Sequence, residues 1–142
     1  MKHMADKAQE PGVATVNVLG VRVHALRRSD LLAWVASTLR SRHRAQIMYA
    51  NAHTLNIAYD DSELHDHMNQ ADIVYCDGAG VKFAAHLLDH HLPERMTGAD
   101  WIYDLGRMCQ EQGLASTSWA GSPAWRPRRL ITSARDTPVS AS

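Results

Sequence analysis

Apolar and polar residues near the start of the chain first alternate and then recur with helical spacing. Residues 14–24 alternate with a period of two around Gly20, which predicts a β-hairpin with a tight turn. The apolar residues that follow cover one broad helical face. They predict a helix over about residues 29–43, with Ser29 as its N-cap and Asp30 as a first-turn acid.

Short apolar runs and helical patterns alternate along the rest of the chain. Residues 46–50 and 72–76 predict buried strands, and the helical pattern between them breaks near residues 60–62, which predicts two short helices. The last helix is expected to end at Gly113. This order predicts an α/β fold that is Rossmann-like, with a mainly parallel sheet flanked by helices and a ligand crevice beyond the carboxyl ends of the strands. Aromatic residues on the helical apolar faces are predicted to lie in the core: Trp34, Phe83 and Trp101.

The composition changes at both ends of the chain. Residues 1–12 are polar and mixed in charge, which is typical of a loose segment. Residues 115–142 are rich in Ser, Thr, Pro and Arg, and their apolar residues show neither helical nor strand periodicity. We therefore expect a partial α/β domain over residues 13–114, incomplete at its C-terminal end, between a loose lead and an aberrant, disordered tail. No strand that joins the sheet is expected over residues 115–119.

Charge and cysteine content exclude several classes of protein. Fifteen basic and fifteen acidic residues give a formal net charge of zero, which argues against a nucleic-acid partner. Cys76 and Cys109 lie far apart without metal-binding spacing, so neither a disulfide framework nor a zinc site is indicated. The chain has no apolar run long enough for a membrane span or a signal peptide, and we expect it to stay in the cytoplasm.

Two loops lie where an α/β protein places its site, directly after the two predicted buried strands. Residues 49–53 follow one strand, and residues 77–80 (DGAG) follow the other. Glycines let the backbone approach a ligand, and exposed amides at a helix N-terminus suit a phosphate or a sugar hydroxyl. By itself, however, a DGxG turn is more often a plain connection from strand to helix. Cys76 has no accompanying base, which favours a buried thiol over a nucleophile.

Three blocks of sequence make a more specific pattern. They read YANAHTLN at residues 49–56, ADIVYCDGAGV at residues 71–81 and LPERMTGAD at residues 92–100. In this order they resemble the signature blocks of the WecG/TagA/CpsF glycosyltransferases, and the resemblance covers about residues 13–114. It implies inverting transfer of N-acetylmannosamine, its uronic acid or a hexose from a UDP-sugar. The implied acceptor is a polyprenyl diphosphate-linked sugar at the inner face of the cell membrane, in surface polysaccharide biosynthesis.

The resemblance also implies roles for individual residues. Asp77 falls on the position of the proposed general base, and Asn51 on the asparagine that helps to frame the pocket. Tyr49 stands where many members have threonine. The implied substrate-binding positions are Asn51, Gly78, Gly80, Arg95 and Tyr49.

The motifs and the resemblance also lead to expectations about cofactors and partners. The chain has no DxD motif, since Asp60 and Asp61 are adjacent, and we predict no metal site and no cofactor, with the UDP-sugar acting as co-substrate. Three nearby histidines, His86, His90 and His91, lack a carboxylate at ligand spacing and are interpreted as solvated. The full-length form is expected to bind the membrane surface but no nucleic acid. Assembly into a homo-oligomer is left open.

The tail suggests a change of reading frame. Residues 115–131 can be encoded by a GC-rich stretch whose shifted frame reads LYFLGGQPGVAAQAAD, which resembles the family's continuation. On this hypothesis residues 115–142 are out-of-frame peptide, and this chain is a truncated form with weak activity or none. A non-catalytic remnant that binds a sugar nucleotide or a partner is the alternative. Nucleic-acid binding through the basic tail is disfavoured by the balanced charge.

Overall fold

Six strands and five helices occur in the residues that the computed structural model describes, which are 12–117 and 129–130. In chain order they are β1 (Thr15–Val18), β2 (Val21–His24), α1 (Arg28–Arg40), β3 (Ile47–Ala50), α2 (Ala52–Asp60), α3 (Ser62–Gln70), β4 (Ile73–Cys76), α4 (Ala79–Leu87), α5 (Gly98–Gln112), β5 (Ser116–Thr117) and β6 (Arg129–Leu130). The chain divides into two units, residues 1–98 and residues 99–142. The predicted mixed α/β class with an N-terminal hairpin is confirmed.

Strands β3 and β4 form the predicted parallel pair. Ala50 lies opposite Cys76 in their register, and the N–H of Asp77 extends the ladder by donating to the carbonyl of Ala50 at 2.8 Å. All four residues of β4 are buried, which explains why this strand reads as a continuous apolar run. In the described part of the chain, β3 and β4 are the parallel strands.

The other edge of β4 is satisfied without a neighbouring strand in its sheet. The N–H of Val74 donates to Nδ1 of His24 at 3.0 Å, and the carbonyl of Cys76 accepts from the N–H of Met96 at 2.9 Å. His24 is 3% exposed and lies at the end of β2. A side chain and a loop thus supply part of the hydrogen bonding that this buried edge requires.

The β1–β2 hairpin turns at Leu19 and Gly20, which both have positive φ, as the predicted tight turn requires. Helix α3 docks against this turn. Asn69 Nδ2 donates to the carbonyl of Gly20 at 3.0 Å, and Asn69 Oδ1 accepts from the N–H of Arg22 at 3.0 Å. A Cβ atom at Gly20 would lie 2.8 Å from Nε2 of His65, the tip of a side chain that can move aside, so the positive φ is what favours glycine here.

Helix α1 begins one residue earlier than predicted, and Ser29 is not its cap. Arg27 is the N-cap, and its N–H donates to Oδ2 of Asp30 at 3.0 Å. The N–H of Arg28 donates to Oε2 of Glu94 at 2.9 Å. Two carboxylates therefore satisfy amides at the start of the helix, and one of them comes from a distant segment that helical periodicity does not reveal.

The predicted break near residues 60–62 is confirmed. Asp61 follows the last residue of α2, and its side chain accepts from the N–H groups of Glu63 and Leu64, which caps α3. Helix α5 ends as predicted at Gly113, which has a φ of 66°.

The predicted lead and most of the predicted tail lie outside the described residues. Ser116 and Thr117 nevertheless form a two-residue strand that pairs antiparallel with Leu130 and Arg129. Such pairing needs only backbone N–H and C=O groups, which a polar sequence also supplies. In the part of the chain that the structure describes, this pair is not joined to β3 or β4.

The hydrophobic core of residues 1–98 joins the hairpin, β4 and the helices α2 to α4. Its members include Val18, Val23, Leu55, Met68, Val74, Val81 and Ala85. Phe83 is not part of it, contrary to prediction, because it is 63% exposed; it follows Val81 by two residues and so lies about 200° around the helix. Trp34 and Trp101 are half-buried. In residues 12–117 and 129–130, no helix is long and apolar enough to cross a membrane.

Replacing His24 with alanine tests how much the hydrogen bond from Val74 to His24 stabilises the edge of β4 that faces away from β3. The variant is expected to lower the free energy of unfolding by about 2 kcal/mol or more, because the N–H of Val74 would stay buried without an acceptor. Urea denaturation measures this difference.

His24→Asn is the matched control, because Oδ1 of asparagine can accept at nearly the position of Nδ1 of histidine. We expect a clearly smaller loss for asparagine than for alanine. Equal losses would show that the acceptor for Val74 is not what His24 contributes.

Candidate functional site

The carboxyl ends of β3 and β4 bring two of the implied site residues together. Asn51 follows β3, and Asp77 follows β4 and bonds through its N–H to Ala50 at 2.8 Å. A Cβ atom at Gly78 would lie 3.8 Å from the Cβ of Asn51. Asn51, Asp77 and Gly78 thus lie at the neighbouring ends of β3 and β4, whereas the crevice that we expect them to line together, and their roles, stay predictions.

The side-chain oxygen of Asn51 has a structural task. It accepts from the N–H of Thr54 at 2.8 Å, while the N–H of Asn51 donates to Oγ1 of Thr54 at 2.9 Å. This reciprocal pair caps α2. The cap uses only the oxygen of the amide, and Asn51 Nδ2 has no hydrogen-bond partner among the described residues.

Gly78 sets the direction of α4. It is the N-cap residue, with a φ of 109°, a backbone conformation that residues other than glycine rarely adopt. No side chain caps the helix at this point. The first amides of α4, at Ala79 and Gly80, therefore give this end of the helix a partial positive charge that is open to an anion.

Asp77 supplies a carboxylate at the same end of α4. It is half-buried and makes no side-chain hydrogen bond or ion pair within the described residues. Burial raises the pKa of the Cys76 thiol, and the positive charges of Lys82 and Arg95 partly oppose this rise, which places both cations near the residue that precedes Asp77. A carboxylate and two cations thus surround the end of β4.

The loop before α5 positions Arg95. The N–H of Met96 donates to the carbonyl of Cys76, which fixes this loop beside the end of β4. Nζ of Lys82 donates to the carbonyl of Pro93 at 3.4 Å, which ties α4 to the same loop. Arg95 makes no ion pair among residues 12–117 and 129–130, and its side chain lines a cavity of about 610 Å³. The lining consists of Ala79, Lys82, Phe83, His86, His90, His91, Leu92 and Arg95.

A second cavity lies on the other side of α4. It measures about 330 Å³ and is mostly apolar. The lining consists of Val18, Leu19, Ala52, Leu55, Asn56, Gly80, Val81, Ala84, Leu87 and Leu88. Since Ala52 follows Asn51 and Gly80 belongs to the DGAG turn, this cavity begins next to the strand ends.

Cys76 is the buried thiol that the sequence favours. It is 2% exposed, its Sγ donates to the carbonyl of Gly78 at 3.6 Å, and burial raises the pKa of its thiol. The thiol is therefore protonated near neutral pH and is a poor nucleophile. Burial also raises the pKa of Cys109.

Tyr49 is less closely associated with this site. Its side chain is 45% exposed, its ring centroid lies 6.4 Å from that of Tyr75, and it lines neither of the two cavities beside α4.

Lys82, in contrast, is a site residue that the sequence analysis did not predict. Its signal was available, because a lysine in the first turn of a helix that follows a glycine-rich loop is well placed for an anion.

No group of three or more His, Cys, Asp or Glu side chains that could hold a metal ion occurs within the described ranges. The absence of a metal site stays a prediction.

Comparison with known proteins identifies the family. No curated protein matches the chain. The model of the glycosyl transferase WecG/TagA/CpsF family matches residues 16–134, which is most of the chain. The match continues past residue 114, so the resemblance extends further towards the C-terminus than the three motifs indicate. The chain belongs to the WecG/TagA/CpsF family of glycosyltransferases.

Proposed function

We propose that this site transfers a hexose-type sugar, such as N-acetylmannosamine or its uronic acid, from a UDP-sugar to a lipid diphosphate-linked acceptor. The observation that carries the proposal is the carboxylate of Asp77, unpaired among the described residues and placed at the start of α4 near Lys82 and Arg95. Family membership supports sugar transfer in polysaccharide biosynthesis. The identity of the sugar, the base and the acceptor is part of the proposal.

Asp77 acts as the general base. Its carboxylate takes the proton from the acceptor hydroxyl, whose oxygen then bonds to the anomeric carbon of the donor sugar. The bond between that carbon and the diphosphate oxygen breaks, and UDP leaves with the bonding electrons. Because attack and departure occur on opposite faces of the sugar, the configuration of the anomeric carbon inverts.

Lys82, Arg95 and the first amides of α4 stabilise the departing diphosphate. The two side chains line one cavity, and the helix terminus adds partial positive charge without a side-chain cap. Positive groups aimed at the charge that develops on a leaving group are a strong source of catalysis. With cations in this position, we propose that transfer needs no divalent metal.

A non-catalytic binding remnant is the second candidate. It is favoured by one observation, that β5 pairs with β6 and, in the described residues, not with the β3–β4 pair. On the frameshift hypothesis the reading frame changes after Leu114, so that the continuation of the sheet is replaced by the polar tail; the family match through residue 134 is the observation against it.

Restoring the alternative frame over residues 115–131 tests this explanation. The restored chain is expected to transfer sugar from UDP-N-acetylmannosamine to a polyprenyl diphosphate-linked acceptor at a rate at least about a hundredfold above the present chain, because groups that stabilise the leaving diphosphate would be regained. A radiolabelled transfer assay on both chains measures the rates. Equal rates, or a nucleotide sequence that does not encode the alternative frame, would refute the frameshift.

Asp77→Asn tests the base. In the restored chain we expect turnover to fall by about 10²–10⁴-fold, since asparagine cannot accept the proton, while the affinity for the donor changes little. Asp89→Asn is the matched control, because Asp89 is exposed and does not line either cavity beside α4. Unchanged turnover in the Asp77 variant would remove this residue from the mechanism. UDP binding without transfer by either chain would support the non-catalytic candidate.

Arg95→Gln tests the stabilisation of the leaving group. The restored chain carrying this variant is expected to lose about 10²-fold in kcat, and EDTA is expected to leave the rate of the unmodified restored chain unchanged. Arg42→Gln, at an exposed position after α1, serves as the control. A rate that collapses with EDTA would contradict the metal-free proposal, and an unaffected kcat for Arg95→Gln would contradict the role of this arginine.

A further inference from the structure

Three histidines share one cavity with the two cations of the candidate site. His86 lies in the last turn of α4, and His90 and His91 follow the helix. All three line the cavity of about 610 Å³, together with Lys82 and Arg95. Five of the eight lining residues therefore carry positive charge or can acquire it. The volume lies in the range of small-molecule pockets, which is roughly 300–1,000 Å³.

The way in which α4 ends brings these histidines to the same cavity. Asp89 has a φ of 58°, and its N–H donates to the carbonyl of His86 at 3.1 Å. The N–H of His90 donates to the carbonyl of Ala85 at 2.9 Å. These two bonds form a Schellman motif, in which a left-handed residue ends the helix and the next amides occupy its last carbonyl groups. Leu92, which is 1% exposed, anchors the segment that follows in the core.

Among the described residues, no carboxylate lines this cavity. Asp77, which precedes α4, is not part of the lining, and neither is Asp89, which is exposed. Oε2 of Glu94 accepts from the N–H of Arg28 at 2.9 Å, at the start of α1. Strand β1, which packs against α4, has no titratable side chain, and none lines the apolar cavity on the other side of the helix. The charge of the cavity is therefore set by its two cations and three histidines.

The fold does not use the rings of these three histidines. They are exposed, and their side chains make no hydrogen bond or ion pair with any residue in the described ranges. Other histidines of the chain differ in this respect. His24 accepts from the N–H of Val74 at 3.0 Å, and Nε2 of His65 lies 3.1 Å from the carbonyl oxygen of Gly20. The ring nitrogens in the cavity are thus open to a ligand.

Cations without a carboxylate suit a phosphate group. Lysine and arginine are common ligands of phosphate, and both stay charged near neutral pH. Histidine gains its charge below about pH 6.5, so it strengthens such a site only when it is protonated. Lys82 and His86 are one helical turn apart, about 6 Å along the axis. The cavity therefore joins a permanent cation to one that depends on pH.

We propose that His86, His90 and His91 make this cavity a proton-dependent phosphate site, which binds a phosphate-bearing ligand more tightly as the histidines become protonated. Lys82 and Arg95 supply the constant part of the attraction, and the histidines supply the part that varies. On the proposed function, the phosphate belongs to the nucleotide of the donor or to the lipid-linked acceptor. Only this assignment rests on the proposed function.

Sulfate binding by the present chain at about pH 6 and about pH 8 tests the site without any sugar. Sulfate resembles phosphate in shape, and its charge is the same under both conditions, so a change in affinity comes from the protein. Isothermal titration calorimetry at constant ionic strength measures the dissociation constants. One unit charge at contact distance in water changes an affinity by roughly fivefold, so we expect at least about fivefold tighter binding at the lower pH.

The triple variant His86→Gln, His90→Gln, His91→Gln removes the titrating groups and keeps the two permanent cations. Its affinities for sulfate at the two pH values are expected to agree within about twofold, since glutamine has no charge to gain. His67→Gln is the matched control, because His67 is an exposed residue of α3 that lines neither cavity beside α4. The control is expected to keep the full pH dependence. Thermal melting of both variants confirms that they fold.

NMR spectra of the imidazole rings give a second measurement on the unmodified chain. At the lower pH, the ring signals of His86, His90 and His91 are expected to shift when sulfate is added, and the signal of His67 is expected to stay in place. Single glutamine variants assign the signals. This measurement decides the question even if the triple variant does not fold.

UDP and farnesyl diphosphate, titrated in the same way, separate the two sources of the phosphate. Both ligands change charge near neutral pH, so the triple variant is the reference for each. Tighter binding at the lower pH that needs the histidines assigns the site to the donor if UDP shows it, and to the acceptor if farnesyl diphosphate does. If only sulfate shows it, the ligand is a free inorganic anion.

Three results would overturn the proposal. They are equal affinities of the unmodified chain for sulfate at both pH values, a pH dependence that the triple variant retains, and histidine ring signals in the cavity that sulfate does not shift. Since no sugar transfer is measured, failure of the phosphate site stays distinct from failure of the proposed chemistry.

Discussion

The hydrogen bonds on the two edges of β4 are the constraint on which the arrangement of residues 1–98 depends. A buried strand must find a partner for every N–H and C=O group, because water does not reach them. On one edge β3 supplies the partners, and the ladder continues into Asp77. On the other edge His24 accepts from the N–H of Val74, and the N–H of Met96 donates to the carbonyl of Cys76. One four-residue strand, β4, therefore fixes the positions of the hairpin, the loop with Arg95 and helix α4.

Placement of the site follows from the same requirement. The bond between Asp77 and Ala50 brings the ends of β3 and β4 level, which sets Asn51 beside Gly78. The bond from Met96 to Cys76 brings Arg95 to the same end. Hydrogen bonds of the backbone, more than contacts between side chains, thus bring the candidate carboxylate of Asp77 and the cation of Arg95 to the same end of β4. Their side chains are left without ion pairs in the described residues and are open to substrate.

The sequence predicts those parts of the fold whose signals are local. The buried strand β4 and the break before α3 are found as expected, because short apolar runs and an Asp cap act over a few residues. Strand β3 forms as expected, but Ala50 is its only buried residue, contrary to the prediction of a buried strand. Bonds between distant segments escape such reasoning, as with Glu94 at the start of α1 and His24 at the edge of β4. Phe83 shows a different limit. The apolar residues of α4 spread over more than one face, so their spacing alone does not reveal which face is buried, and its aromatic residue was assigned to the core.

Asn51 illustrates how a structural and a chemical role can be carried by one residue. The oxygen of its amide caps α2, so any substitution that removes this oxygen also weakens the helix start beside the site. A loss of activity in such a variant would not separate binding from stability. Asp77 has no comparable hydrogen-bonding task, since its side chain bonds to none of the described residues. Its negative charge at the positive end of α4 stabilises the start of that helix, and the role of general base is the one that we propose for it.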